Sequence, residues 1–264
     1  MAYRIGFIGC GNMGRAMIGG IVAKGVCAPA DIAASARTQE TLDAARKAYG
    51  IATTLDNAAC AQADIVVLAV KPQMYESVIA EVAPALRDDA VLVSIAPGKS
   101  IAWLAERSGA RKVVRLMPNT PAAVGQGMTA VVFGEGCDSS DREAVLRIVE
   151  SFGRAEVIDE KLIDAASAAA GCSPAYIYML IEAMADAAVL EGMPRAQAYR
   201  FAAQAVKGSA AMVLESGRHP AELKDAVCSP GGTTIEGVRV LEGRGMRSAV
   251  IEALAATVDK ARRL

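Results

Sequence analysis

Short apolar runs alternate with helically spaced stretches through the first half of the chain. Tyr3–Ile8 predicts a strand, and Arg15–Lys24 behind it predicts a helix. Asp31–Ser35 predicts a second short strand, followed by a polar helix over Thr41–Tyr49. Ile65–Val70 is apolar without interruption, the form taken by a parallel strand covered on both faces. Ala90–Ile95 and Lys112–Met117 repeat it, with helical patterns between. Alternation of this kind predicts a doubly wound parallel sheet.

The character changes after about Val157, where Ala, Leu, Met and Glu at helical spacing take over. Ser173 before Pro174 reads as an N-cap with proline at the first helical position, and that helix is predicted to stop at Gly192. Pro194 opens a second long helix ending near Gly217. Thr233 with Glu236 three residues on reads as a capping box, and a last amphipathic helix covers roughly Ser248–Arg263. The expected division is therefore an α/β domain over residues 1–158 and an all-helical domain over residues 159–264.

Composition narrows the classes. Of 264 residues, 53% are apolar and 22% charged, as in a folded protein and unlike a disordered one. Lys and Arg total 28 against 29 Asp and Glu, so no charge excess points to nucleic acid or an anionic membrane. The charge-free stretches Leu116–Gly134 and Ala165–Ile181 are interrupted by Pro, Gly, Ser or Asn and read as buried segments, not membrane spans. The strand pattern begins almost at the first residue, which leaves no signal-peptide pattern and predicts a cytoplasmic protein. Six scattered cysteines (Cys10, Cys27, Cys60, Cys137, Cys172 and Cys228) form no C-x-x-C pair, and His219 is the only histidine. That set does not make an ordinary structural zinc site, and reduced, mostly buried thiols are expected.

Gly9-Cys10-Gly11-Asn12-Met13-Gly14 follows the first strand, at Ile8, and opens a helix, which is the context a dinucleotide fingerprint requires. Gly9 suits the tight turn, Gly11 a close approach of backbone to pyrophosphate, and Gly14 helix–strand packing. The helix amino end offers free N–H groups to the phosphates. At the end of the second strand a free ribose 2′-OH is usually met by Asp or Glu. Here the residues are Ala34-Ser35-Ala36-Arg37. Arg37 suits a 2′-phosphate and Ser35 can donate to it, so NADPH is favoured, with NADH as the alternative cofactor. The competing reading of Arg37 is a solvated surface charge. The strand-end loops Ala69-Val70-Lys71-Pro72 and Ala96-Pro97-Gly98 lie where an open α/β sheet binds ligands. Lys71 is read as lining the ribose side, with a catalytic acid and a plain surface lysine as alternatives. Asn119, in Met117-Pro118-Asn119-Thr120-Pro121, falls near the same edge.

Near the C-terminus, Ser229-Pro230-Gly231-Gly232-Thr233-Thr234-Ile235 leads glycines and threonines into a helix. Such a run makes either a nest of N–H groups suited to a carboxylate or an ordinary interhelical turn. Read together with Gly6-Phe7-Ile8-Gly9, Ala69-Val70-Lys71-Pro72, Met117–Pro121, Ser173-Pro174-Ala175-Tyr176, His219-Pro220 and Leu223-Lys224-Asp225, it makes the chain resemble the pyrroline-5-carboxylate reductase family over nearly its whole length.

That resemblance implies a Rossmann-type N-terminal domain and an all-α C-terminal dimerisation domain, with hydride transfer to a cyclic C=N that completes proline biosynthesis. It further implies carboxylate binding by the loop Ser229, Gly231, Gly232, Thr233 and Thr234, and a hydrogen bond from Thr234 to the ring nitrogen. Glu160 falls beside substrate and nicotinamide, and Asn57 beside the adenosine. Assembly would be a homodimer through the helical domain, with a decamer of five dimers as the larger form. Three local departures stand out: Ala96-Pro97-Gly98 for a usual Ala-Ala-Gly, Ala170-Gly171-Cys172-Ser173 for Ser-Gly-Ser-Gly, and Ala226 for Asn or Gln. The rival readings are a β-hydroxyacid-type dehydrogenase and a non-catalytic NADPH sensor. The first needs a lysine that Gly171–Glu182 does not contain, and the second has no need of a substrate nest.

Overall fold

The computed structural model describes residues 4–263, so Tyr3 of the first predicted strand lies outside the described residues. In chain order the first elements are β1 (Ile5–Ile8), α1 (Asn12–Ala23), β2 (Ile32–Ser35), α2 (Gln39–Tyr49), β3 (Ala52–Thr54) and α3 (Asn57–Ala61). Then come β4 (Ile65–Leu68), α4 (Tyr75–Val82), β5 (Val91–Ser94), α5 (Ile101–Ser108), β6 (Lys112–Met117), β7 (Gly127–Phe133), α6 (Ser139–Glu150) and β8 (Gly153–Val157). They form one sheet in the order β3-β2-β1-β4-β5-β6-β7-β8. Every neighbouring pair is parallel except β6–β7. The strand order reverses between β1 and β4, which opens a crevice at their carboxyl ends.

Continuous apolar sequence is what the central strands require, because helices cover both faces. Phe7, Val93 and Leu116 pack with Met17, Ile18 and Ile21 of α1 and Ile148 of α6. Ile8, Leu68 and Leu92 pack on the other face with Tyr75 and Ile79 of α4 and Leu104 of α5. Each such side chain contributes roughly 1.5–3 kcal/mol on burial. The apolar pattern does not resolve β7 or β8. β7 lies inside the charge-free stretch after β6 with no polar punctuation of its own, and β8, Gly-Arg-Ala-Glu-Val, is a partly exposed edge strand. The sheet is therefore mostly parallel, with one antiparallel strand.

Two compact units are distinguished. One contains the sheet, runs to Cys172 and includes the chain from Val258 onward; the other spans Ser173–Thr257. The helical part begins with a 3-10 turn at Glu160–Leu162, α7 (Ile163–Ala166), a π-helical stretch at Ser167–Cys172 and α8 (Ser173–Leu190). It continues through α9 (Arg195–Ser216), α10 (Pro220–Val227), α11 (Thr233–Gly243) and α12 (Met246–Ala261). α8 stops before Gly192, and α9 follows Pro194 and ends at Gly217, as the glycine and proline punctuation predicts.

Two helix starts differ from expectation. Ser173 does not cap a helix, because it lies inside unbroken helical chain from Glu160 to Leu190. Pro174 has no N–H, so an α-helix here would leave the carbonyl of Ala170 without its donor. The chain widens into a π-helical turn, and Asn119 Nδ2 donates to that carbonyl at 2.9 Å. The capping box at Thr233 is also absent. Gly232 is the N-cap, Thr233 is already helical, and the Glu236 carboxylate is held by Arg239 at 2.6 Å.

The helical unit has a small core of Ala185, Ala198 and Ala202. Larger apolar side chains, including Tyr178, Met179, Leu190, Phe201 and Leu214, are exposed. The run Glu160–Leu190 is long and apolar enough to cross a membrane by length and composition alone. All six cysteines are free thiols, and four of them are buried.

Asn119 is 8% exposed, donates to Ala170 and accepts from the N–H of Met128 at 2.9 Å. Asn119→Ala removes the side-chain partner of both backbone groups and should cost about 2–4 kcal/mol in denaturant unfolding. Adding Pro174→Ala returns a donor to Ala170 and should recover part of that loss; strict additivity in the double variant would refute the coupling.

Candidate dinucleotide and substrate sites

β1 ends at Ile8 and the chain turns at Gly9, where φ is 101°. A Cβ on Gly9 would lie 2.6 Å from the carbonyl oxygen of Ala69, and one on Gly14 would lie 2.7 Å from that of Gly9. Both positions require the smallest residue for packing. Gly11 is different, since a Cβ there would meet nothing within 4 Å, and this leaves the turn open to a ligand. Gly11 is the N-cap of α1 and no side chain caps the helix, so its first amides face outward as anion donors. Burial pushes the Cys10 thiol up despite Arg15, keeping that side chain neutral inside the turn.

A cavity of about 290 Å³ opens here, bounded by Gly9, Cys10, Gly11, Arg37, Asn57, Ala69, Val70 and Lys71. Leu55, Met74 and Val78 give it apolar walls that the motif reading did not identify. Their only sequence signal is proximity to Asn57 and Lys71 along the chain. Neither the Arg37 nor the Lys71 side chain has a hydrogen bond or ion pair among the described residues. Two unpaired cations at the rim of a cavity floored by free amides fit a multiply phosphorylated ligand with an apolar ring system.

Several expected contacts turn inward instead. Ser35 is fully buried, and its hydroxyl donates to Asn57 Oδ1 at 2.6 Å, so it is not available to a 2′-phosphate. Asn57 Nδ2 donates in turn to Glu81 Oε2 at 2.9 Å, which fixes the amide at the cavity wall. Ile8 is buried and contributes only backbone; its carbonyl accepts from the N–H of Ala69 at 2.8 Å. Asn119 is occupied by Ala170 and Met128 as described, so its amide serves the fold. Asn12 and Met13 border a separate cavity of about 770 Å³ along α1, with Arg15 and Tyr49. Pro72 opens a 3-10 turn beyond Lys71.

The next loop is Ala96-Pro97-Gly98. Ala96 is buried and its N–H donates to Ser94 Oγ at 3.3 Å, whereas Pro97 and Gly98 are exposed. Gly98 and Glu160 share a cavity of about 530 Å³ with Ser100, Arg115 and Asp164. Glu160 Oε1 accepts from Arg115 Nη1 at 2.6 Å and from the N–H of Ile101 at 2.8 Å. One carboxylate oxygen is thus pinned by a buried guanidinium and the amino end of α5.

In the helical unit, Cys228 ends α10 and Ser229–Gly232 turns into α11. Gly231 has φ 67°, and the N–H of Gly232 donates to the carbonyl of Ser229 at 3.0 Å. The turn therefore uses one of the expected nest donors. The first-turn amides of Thr233, Thr234 and Ile235 have no acceptor within the helix, and the Thr233 and Thr234 side chains are exposed. This arrangement binds a small anion end-on to the helix axis.

Comparison with known proteins gives a consistent result. Residues 160–264 match the family described as pyrroline-5-carboxylate reductase dimerisation, and residues 4–98 match NADP oxidoreductase coenzyme F420-dependent. The pyrroline-5-carboxylate reductase of Escherichia coli K12 is 51% identical over 266 residues, covering 100% of this chain and 99% of that protein. A pyrroline-5-carboxylate reductase structure from Coxiella burnetii superposes with a TM-score of 0.92 at 34% identity, covering 100% of this chain and 98% of the other. The Plasmodium falciparum pyrroline carboxylate reductase, solved with NADP bound, gives 0.89 at 33% identity and covers 99% and 97%. The chain belongs to the pyrroline-5-carboxylate reductase family.

Proposed function

We infer that this chain is an NADPH-dependent reductase that converts 1-pyrroline-5-carboxylate to proline, the final step of proline biosynthesis. The observation that carries the reading is kinship with enzymes of that name along the full chain. Residues 1–158 serve the cofactor, and residues 159–264 serve substrate binding and dimerisation.

Bound NADPH supplies the hydride, which the protein has only to orient. Gly9, Gly11 and the first amides of α1 hold the pyrophosphate, and Arg37 meets the 2′-phosphate, with NADH the weaker alternative. Leu55, Met74 and Val78 suit the adenine ring. The Lys71 stem lines the ribose side, and Ala96-Pro97-Gly98 borders the nicotinamide. The substrate carboxylate rests on the first-turn amides of α11, a placement supported by their lack of in-helix acceptors. Thr234 hydroxyl partners the ring nitrogen. When the imine binds protonated, hydride addition at C5 leaves a neutral secondary amine, so no protein acid is required. Positioning then supplies much of the rate. Glu160, whose Oε1 is held by Arg115 and the N–H of Ile101, is the acidic residue assigned to the neighbourhood of the substrate.

The protein works as a homo-oligomer, since its helical part belongs to a dimerisation family. The exposed apolar side chains of α8 and α9 form the dimer face, five dimers make the decamer, and the enzyme acts in the cytoplasm. A face of this kind accounts for the apolar run Glu160–Leu190 without a membrane.

The direct assay follows NADPH loss with pyrroline-5-carboxylate, run in parallel with NADH. No consumption of either would overturn the function. Thr234→Ala should lower kcat/KM roughly 10- to 100-fold by leaving the nitrogen without its partner, with NADPH affinity retained. Full kcat/KM in that variant would remove Thr234 from the mechanism. Arg37→Ala should raise the KM for NADPH about 10- to 100-fold while changing that for NADH less than about twofold. An equal change for both cofactors would dismiss the 2′-phosphate contact.

A further inference from the structure

Tyr75 opens α4 and is fully buried, with no part in the chemistry above. β4 and β5 run parallel with Leu68 opposite Ser94, and just beyond that pair their ladder comes apart. The bond from the N–H of Ile95 to the carbonyl of Leu68 is stretched to 3.5 Å. The Tyr75 hydroxyl sits in the opening. It donates to the carbonyl of Leu68 at 2.6 Å and accepts from Ser94 Oγ at 3.2 Å and from the N–H of Ile95 at 3.3 Å. Ser94 Oγ then accepts from the N–H of Ala96. One phenol thus takes over where main-chain pairing ends, and its single proton and its acceptor capacity are both in use.

The chain leaving Leu68 is Ala69-Val70-Lys71, and the chain leaving Ser94 is Ile95-Ala96-Pro97-Gly98. The first of these also abuts the glycine turn: the N–H of Ala69 donates to the carbonyl of Ile8, and its own carbonyl occupies the space a Cβ on Gly9 would need. Arg37, Thr38 and Leu55 reach the cavity from the ends of β2 and β3 and form no hydrogen bond with the phenol.

We propose that Tyr75 is a positioning residue for the nicotinamide half of the cofactor site, its hydroxyl fixing the start of the loop Ile95–Gly98 that leaves β5. The proposal rests on the cofactor reading above, which sets that loop beside the nicotinamide. Burial pushes the phenol up to about 12, so it keeps its proton and the bond to Leu68 throughout the neutral range. The side chain acts through backbone and touches neither cofactor nor substrate.

Tyr75→Phe preserves the ring and deletes the hydroxyl. Binding is measured by calorimetry on the full chain without substrate, using NADPH and 2′,5′-ADP, a fragment with the adenosine and its phosphates but no nicotinamide. The dissociation constant for NADPH should rise about tenfold while that for 2′,5′-ADP stays within about twofold. A folded variant that binds both as the wild type does, or weakens both alike, overturns the proposal. A merely structural role would lower Tm without separating the two ligands. If Tyr75→Phe does not fold, Ser94→Ala carries the test: it removes one donor to the phenol and should separate the ligands by about threefold in the same direction, and no separation overturns the proposal. A wild type that binds neither ligand defeats the cofactor reading and this proposal with it; one that binds NADPH but leaves pyrroline-5-carboxylate unreduced defeats only the assigned reaction.

Discussion

No side chain fits between the first turn of the chain and the end of β4, and the cofactor-binding half is organised around that contact. Gly9 lies against the carbonyl of Ala69, and Gly14 lies against the carbonyl of Gly9. This approach brings the amino end of α1 to the crevice where the strand order reverses. It also aligns the turn with the loop that carries Lys71. Gly11 has no neighbour to accommodate, so the same six residues combine two steric requirements with one opening. A phosphate chain is the ligand that such a combination of free amides, helix dipole and flanking cations favours.

Around this contact, buried polar side chains take over wherever regular pairing stops. Ser35 and Asn57 link the end of β2 to α3, and Glu81 extends the link to α4. Arg115 and Glu160 connect β6 to the first helical turn after the sheet, and Asn119 joins the loop beyond β6 to the π-helical stretch. These groups lie at or near strand ends at the carboxyl edge, where ligand-binding residues also concentrate. Position along the chain therefore points Ser35 and Asn119 toward the cofactor, although both turn inward. Strand parity explains the burial of Ser35: a residue at the last position of a strand points either into a helix layer or toward the crevice, and residue type alone does not choose. Arg37, two residues later and clear of the sheet, reaches the cavity rim, since burying an unpaired guanidinium is too costly to be the default.

Glycine and proline marked helix boundaries well where the decisive interaction was local. Gly192, Pro194 and Gly217 act through their own backbone, and each sits at or next to the predicted end. Pro174 failed as a start signal because its consequence is resolved by a residue 51 positions away, the separation between Asn119 and Ala170. Nothing near Pro174 in sequence announces that its orphaned carbonyl has a donor. The capping box at Thr233 failed for a smaller reason. The turn Ser229–Gly232 closes through the N–H of Gly232, which brings the helix start one residue forward and frees Glu236 for Arg239. That shift matters chemically, because it leaves Thr233 and Thr234 inside the first turn with their amides outward, where in a capping box the Glu236 carboxylate would have covered that of Thr233.

The helical unit raises a different question, since alanines make up its core while Leu190, Phe201 and Leu214 face outward. Small residues let α8 and α9 approach closely, but an alanine buries too little apolar surface to offset the conformational entropy of ordering two helices of 18 and 22 residues. The missing stabilisation has to come from surface that a single chain leaves exposed. For a member of a dimerisation family the natural source is a second copy, so folding of this unit and association become one equilibrium that depends on protein concentration. The turn Ser229–Gly232 sits within that unit, at the amino end of α11. Its geometry is consequently a property of the assembled protein, whereas the glycine turn and its cavity are complete within one chain.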